Sequence, residues 1–306
     1  MDIDRIVVSP RKSMTWEEFL NETPSGSIAL DGAVKGGPKF DDASRHINFD
    51  HHEGVIREIT MSTAMQVHYA IKGGLMESYS DCTIYINDTD QDVALAVWLL
   101  INHRLFEGSK SIPHMSRLLE LDNRLDVTGG AFPQDLRDEL LAQHNWVFRP
   151  YTELRCSGAL ANADESTLRS NLEAVLYRLD QFMMGDGGKV ELNTAHELYY
   201  QGKFWMANEV GGNEARYYLW SLGMKAFINR ISTRADGKYV YSIGKRSRYI
   251  SFPVLELYQV FSEAEGLPLE EGWGGSDIIG GSSRFHGSGL DWEELRDITI
   301  NYLSSC

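Results

Sequence analysis

The stretch with the most chemistry in it is Asn48-Phe49-Asp50-His51-His52-Glu53-Gly54. Asp50, His51 and His52 follow directly on Ile47 and Phe49. Such side chains cost free energy in apolar surroundings unless they are paired or bind metal. Arg45 to Phe49 alternates as a strand does, which predicts the triplet at the carboxyl end of a buried strand. Open α/β sheets bind their ligands at that end. Two surface histidines are the competing reading. The aspartate just before them favours a metal site, because carboxylate plus imidazole suits divalent transition ions.

A second acidic group follows the apolar run Thr83-Ile84-Tyr85-Ile86, which reads as another strand. It ends in Asn87-Asp88-Thr89-Asp90-Gln91-Asp92, and an apolar helix is expected from Val93 to Leu100. Like charges at Asp88, Asp90 and Asp92 repel at close range. A calcium loop of EF-hand type is excluded, since Val93 and Leu99 stand where its glycine and distal glutamate belong. An acid-rich helix start is the simpler alternative. Ser27 to Leu30 is a third short apolar run, stopping at Asp31-Gly32, which is either a ligand at a strand end or an Asp-Gly turn. Far downstream, Trp273-Gly274-Gly275-Ser276-Asp277-Ile278-Ile279-Gly280-Gly281-Ser282-Ser283-Arg284 offers backbone N–H groups that an anion could approach closely. Arg284 could add bidentate phosphate binding there. A flexible surface loop is the alternative, and the spacing fits neither a Walker loop nor a dinucleotide fingerprint.

Phe49-Asp50-His51-His52 resembles the signature of the DHH phosphoesterase superfamily. That group includes RecJ-type exonucleases, oligoribonucleases, cyclic-dinucleotide phosphodiesterases and family II pyrophosphatases. Asp88 to Ala96 is similar to the family's strand, aspartate and helix motif, especially in its RecJ-like form, with Val93 in place of the usual glycine. The family places that motif before its Asp-His-His segment; here it comes after, as in a permuted arrangement. Trp273 to Arg284 resembles the Gly-Gly motif of the DHH-associated substrate domain, which also follows a hairpin with basic residues.

The resemblance implies an α/β protein: a domain with a largely parallel sheet carrying the metals, then a smaller mixed α/β substrate domain, with the active site in the cleft. It implies two divalent cations, most typically Mn²⁺, with Mg²⁺ or Co²⁺ as alternatives. The implied ligands are Asp31, His51, Asp88, Asp90, Asp92 and one late aspartate, for which Asp122 is preferred over Asp126. His52 would contact the phosphate or protonate the leaving oxygen, and Asp50 would orient the cluster. Arg246, Arg248, Gly274, Gly275, Gly280, Gly281 and Arg284 would bind substrate, with Lys245 nearby. The implied activity is hydrolysis of a small phosphorylated or nucleotide substrate: a short oligonucleotide, a cyclic dinucleotide or a bisphosphonucleoside. A non-catalytic nucleotide or phosphate sensor, or a phosphoanhydride hydrolase, is the alternative.

Several elements must position these groups. Ile6 to Val8 reads as a strand, and Thr15 with Glu18 forms a capping box. Helices are expected over 61–71, 118–125, 163–184 and 253–264, with strands 226–231 and 239–243 around the turn Ala235-Asp236-Gly237-Lys238. His114 is expected to be a plain surface histidine. Gly185-Asp186-Gly187-Gly188 is the best linker, dividing a catalytic domain 1–188 from a substrate domain 189–306, with Gly211-Gly212 as a later possible boundary.

The 306 residues are 42% hydrophobic and 24% charged, an ordinary globular composition long enough for two domains. A formal charge of −15 argues against gripping long duplex nucleic acid through its phosphates. It is compatible with a small phosphorylated substrate at a local cationic site. Cys82, Cys156 and Cys306 lack metal-ligand spacing and read as free thiols in a reducing cytoplasm. Neither a secretory signal after Met1-Asp2-Ile3-Asp4-Arg5 nor a membrane-spanning run is seen.

Overall fold

The computed structural model describes residues 5–132 and 134–305, and the protein divides into two compact units. The first runs up to Val127 and continues through Asp138–Glu191; the second comprises Thr128–Arg137 and the chain from Leu192 onward. The main break thus falls a few residues beyond the Gly185–Gly188 linker, and the Gly129-Gly130 segment belongs to the later unit. Cys82 is fully buried. Cys306, the side chain of Cys156 and the segment Met1–Asp4 lie outside the described residues. Among the described residues no helix is long and apolar enough to cross a membrane.

In the first unit the order is β1 (Ile6–Val8), α1 (Trp16–Glu22), β2 (Ser27–Leu30), β3 (Lys39–Asp41), β4 (His46–Phe49), α2 (Thr63–Lys72), α3 (Leu75–Tyr79), β5 (Thr83–Ile86), α4 (Gln91–Ile101), α5 (Pro113–Val127), α6 (Glu139–Cys156) and α7 (Glu165–Met184). The sheet order is β1-β5-β2-β4-β3, parallel except for the antiparallel edge strand β3. The inner strands β2 and β4 are buried at every position, as strands of a parallel sheet covered on both faces are. The alternation read from Arg45 to Phe49 therefore located β4 without describing its two-sided burial. The parallel order puts the carboxyl ends of β2, β4 and β5 on one edge, so Asp31, the Asp-His-His triplet and the Asp88–Asp92 loop emerge together.

Helices α4 and α7 are anchored to each other by the Trp98 indole N–H, which donates to Asp180 at 2.8 Å. Helix α6 has no counterpart in the sequence reading. Its interior Pro150 lacks an N–H, which leaves the Trp146 carbonyl without its intrahelical donor. The guanidinium of Arg178 on α7 donates to that carbonyl and lies 5.1 Å from the Trp146 ring centre.

The second unit contains β6 (Glu197–Gln201), β7 (Trp205–Asn208), α8 (Asn213–Ser221), β8 (Ala226–Thr233), β9 (Tyr239–Lys245), α9 (Val254–Ala264), β10 (Gly274–Gly275), β11 (Ile279–Gly281) and α10 (Trp292–Ser305). Its mixed sheet runs β10-β11-β9-β8-β7-β6. The core on one side gathers Met206, Ile228, Ile243, Leu257, Phe261, Trp273 and Leu295. A buried polar network ties the sheet to α8: Arg216 grips Glu209 with two bonds of 2.6 and 2.7 Å, and Asn229 donates to the same carboxylate.

Candidate metal centre

The site is built from the ends of β2 and β4 and from helices α2, α4 and α5. Asp31 follows β2 with φ of 47°, a left-handed conformation that few non-glycine residues adopt and that clusters at functional positions. Gly32 also has positive φ, and its N–H donates to Asp50 Oδ2 at 2.7 Å, which ties the end of β2 to the end of β4. The other Asp50 oxygen accepts from the His52 N–H at 2.7 Å and lies 3.2 Å from His52 Nδ1. Burial raises the Asp50 pKa, but the His52 bonds outweigh it and hold the carboxyl below its usual range. Asp50 thereby fixes the His52 ring, which is part-exposed.

His51 is fully buried, and neither ring nitrogen has a hydrogen-bond partner among the described residues. Its Nε2 lies 2.7 Å from Asp126 Oδ2, 3.5 Å from Asp31 Oδ1 and 3.9 Å from Asp92 Oδ2. The closest of these approaches lacks hydrogen-bond geometry, and Asp126 Oδ2 is likewise unpartnered. Two sets of donors, each within 4.8 Å of one another, share this imidazole: Asp31, His51 and His52, and His51, Asp92 and Asp126.

Helix α2 shapes the site in a way the sequence reading missed. The N–H groups of Thr63 and Ala64, in its first turn, donate to the two oxygens of Asp92 at 2.6 and 2.9 Å. A helix N-terminus is a natural holder of a carboxylate. The Thr63 hydroxyl donates to Asp31 Oδ1 at 2.9 Å, so one residue aligns two candidate ligands, one just after β2 and one in the first turn of α4. The predicted helix over 61–71 was visible, but nothing in the pattern marked Thr63 as more than a helix start.

Electrostatically the cluster is under strain. Burial drives the Asp31 pKa well above its usual value, and the charges of Asp90, Asp92, Asp126 and Asp50 push it further. Asp92 is raised well above its usual value by burial, then by Asp126, Asp122 and Asp90. Asp90 is raised to about 7 by burial, with Asp88 and Asp126 adding to it. Asp126 goes the other way: burial raises it, but neighbouring His51 and Arg57 outweigh that. Buried carboxylates that repel one another around an unpartnered imidazole form a donor set suited to a divalent cation.

The sequence candidates separate as follows. Asp31, His51, His52 and Asp92 come together, with Asp50 beside them. Asp90 is the N-cap of α4, accepting from the Val93 N–H at 2.9 Å, and its charge acts on Asp31. Asp88 accepts from the Tyr151 hydroxyl at 3.1 Å and falls outside both donor sets. The preference for Asp122 over Asp126 is reversed by the geometry. Asp122 faces α6 and lies 2.9 Å from His144 Nε2, whereas Asp126, one turn later, reaches His51. Arg57, which the sequence reading did not single out, donates to both the carbonyl and the carboxylate of Asp126 at 3.1 Å.

In the second unit, the glycine stretch is a β-hairpin and not an open loop. A Cβ at Gly280 would run into the Tyr258 hydroxyl and the Gly274 carbonyl, and one at Gly281 into the Tyr241 carbonyl. Gly275, at φ of 148°, would meet the Gly280 backbone. These glycines are thus explained by close backbone packing; Gly274 alone has open space around it. Arg246 is not the free cation the sequence suggested. Its guanidinium caps α8, donating to the Trp220 and Met224 carbonyls at 3.0 and 2.6 Å, and lies 5.5 Å from the Trp220 ring centre. Arg248 pairs loosely with Asp277 at 3.9 Å and lines a cavity of about 770 Å³ with Lys203 and Lys245. Arg284 is exposed, and its carbonyl accepts from Arg234 at 3.5 Å.

No family model, no curated protein and no solved structure matches this chain.

Proposed function

We propose that the carboxyl edge of the first sheet is a divalent metal centre serving hydrolysis of a small phosphorylated or nucleotide substrate. One observation carries the reading: a fully buried imidazole, His51, makes no well-aligned hydrogen bond on either nitrogen among the described residues, yet its Nε2 faces carboxylates from three separate elements. Leaving both nitrogens buried and unpaired is costly unless a ligand completes them. His51, Asp31, Asp92 and Asp126 would hold the cations, with Asp31 shared between them and His52 left free for the substrate. Of the candidate ions, Mn²⁺ suits this mixed nitrogen and oxygen set, with Mg²⁺ or Co²⁺ as alternatives.

A divalent ion held there would acidify a water and offset charge on a phosphoryl group. The protein's own groups supply the rest. Thr63 and the α2 N-terminus keep Asp31 and Asp92 in register. Asp50 holds His52 through its Nδ1 side, leaving Nε2 to contact the phosphate or to protonate the leaving oxygen. We place this activity in a reducing cytoplasm on the cysteine usage.

The test is calorimetric Mn²⁺ binding followed by hydrolysis of a panel: short oligoribonucleotides, cyclic dinucleotides, 3′,5′-bisphosphonucleosides and pyrophosphate. We expect binding, and turnover of at least one ester. Turnover of pyrophosphate alone would make the protein a phosphoanhydride hydrolase. Metal binding without turnover would favour a nucleotide sensor, and no metal binding would remove the site. His51→Ala should lower metal occupancy, whereas His52→Ala should lower turnover by about 10²–10⁴-fold with occupancy kept, the usual span for a lost general acid. Equal loss of metal in both variants would contradict these roles.

A further inference from the structure

Arg57 stands at the edge of the acidic cluster in a short 3-10 turn, Arg57–Ile59. Its Nη2 donates twice to Asp126, at 3.1 Å to the carbonyl and 3.1 Å to Oδ1. The opposite oxygen of that carboxylate is the one 2.7 Å from His51 Nε2. A guanidinium has five N–H donors in a planar fork. Only Nη2 is used by the described residues, and the Nε donor is buried with no hydrogen-bond partner. The side chain is 36% exposed, so its outer edge reaches solvent.

A purely structural arginine at this position would be expected to have its buried donor paired, because an orphaned donor costs free energy. It would also be an odd choice beside a metal ligand, since a fixed positive charge opposes cation binding at Asp126. Both oddities vanish if an anion completes the site. We propose that Arg57 contacts a phosphoryl oxygen of the substrate, its unused donors forming the fork that recognises phosphate. The substrate class is then a phosphate ester whose phosphoryl oxygens lie between Arg57 and the ligands of the metal centre. The inference rests on the proposed metal site and adds to it an anion-binding residue from the loop after the Asp-His-His triplet.

The experiment uses the full chain as wild type, Arg57→Ala and Arg57→Lys, with folding of each checked by thermal melting. Mn²⁺ affinity is measured by calorimetry, and affinity for inorganic phosphate is then measured on the Mn²⁺-loaded proteins. Arg57→Ala should bind Mn²⁺ as tightly as wild type or more tightly, because a competing cation is gone. Its phosphate affinity should fall about ten- to hundredfold, the scale of a lost charge-assisted contact. Arg57→Lys should recover part of that loss, as a point charge without the fork. Weakening of Mn²⁺ and phosphate together in Arg57→Ala would show that the residue only props Asp126, and would overturn the proposal. Unchanged phosphate affinity would overturn it as well. Wild-type protein that binds no Mn²⁺ would overturn the metal reading itself, and this inference with it.

Discussion

At the scale of single residues, Asp122 and Asp126 are the sharpest case. They stand one turn apart on α5, where residues four apart share a helix face. From sequence the choice between them rested on the Gly129-Gly130 turn, which seemed reason enough for Asp126. The partners that separate them come from far away: His144 on α6 takes Asp122, while His51 and Arg57 meet Asp126. Exchanging each for the isosteric amide tests the assignment. Asp126→Asn should weaken Mn²⁺ binding by at least about tenfold, the loss typical of disturbed metal sites. Asp122→Asn keeps an acceptor for His144 and should stay within about threefold, since the site's ligand atoms are untouched. Calorimetric titration of both variants decides it; a larger loss in Asp122→Asn would move the late ligand back one turn.

At the scale of elements, the glycine hairpin of the second unit makes a prediction about packing. A methyl group at Gly280 has no room between the Tyr258 hydroxyl and the Gly274 carbonyl, whereas one at Gly274 enters open space. Overpacking of this kind costs typically about 1–3 kcal/mol, while a substitution that meets nothing stays within about 0.5 kcal/mol. Urea unfolding of Gly280→Ala and Gly274→Ala should therefore differ clearly in midpoint. Equal midpoints would mean that the strand pairing at Gly275 and Gly280 does not constrain the hairpin. The same stretch shows what sequence reading captures and what it loses. Its glycines were conspicuous, but a glycine that admits an anion and one that admits a neighbouring backbone look identical in a string of letters. The strand ends at Asp31, Asp50 and Asp88–Asp92 were legible because acids placed directly after buried apolar runs demand an explanation. Helix α6 was not, since Pro150 argues for a break that Arg178 repairs from another helix. Thr63 and Arg57 were invisible for a related reason: their roles are set by contacts with residues 29 to 69 positions away.

At the scale of the molecule, the site couples to stability through charge. The chain carries a formal charge of −15, and part of that excess is concentrated among the buried aspartates of the first unit. In the folded protein, burial and then mutual repulsion raise Asp31, Asp92, Asp122 and Asp90 above the ordinary value of 3.8, Asp90 to about 7. A raised carboxyl binds its proton more tightly folded than unfolded. Above pH 3.8 the unfolded chain releases protons that the folded protein still holds. Stability must then fall as pH rises from that value through the folded pKa, which for Asp90 means up to about 7. Asp50 and Asp126 have the opposite sign, since their lowered pKa values favour the fold above 3.8 and lose that contribution only below it. The metal-free protein should therefore melt at its highest temperature on the acidic side, near pH 4 to 5 as a rough expectation, and lose stability towards neutrality. A divalent cation bound at the proposed site should reverse the trend, because it would bind the deprotonated carboxylates that repulsion disfavours. At a hundredfold excess over its dissociation constant a ligand specific for the folded state adds about 2.7 kcal/mol. Melting curves from about pH 5 to 8, with and without Mn²⁺, should diverge as pH rises, with the metal-bound protein on top. Parallel curves, or a metal-free protein that gains stability towards pH 8, would mean that these aspartates are not held protonated against one another, and the electrostatic case for a cation among them would be lost.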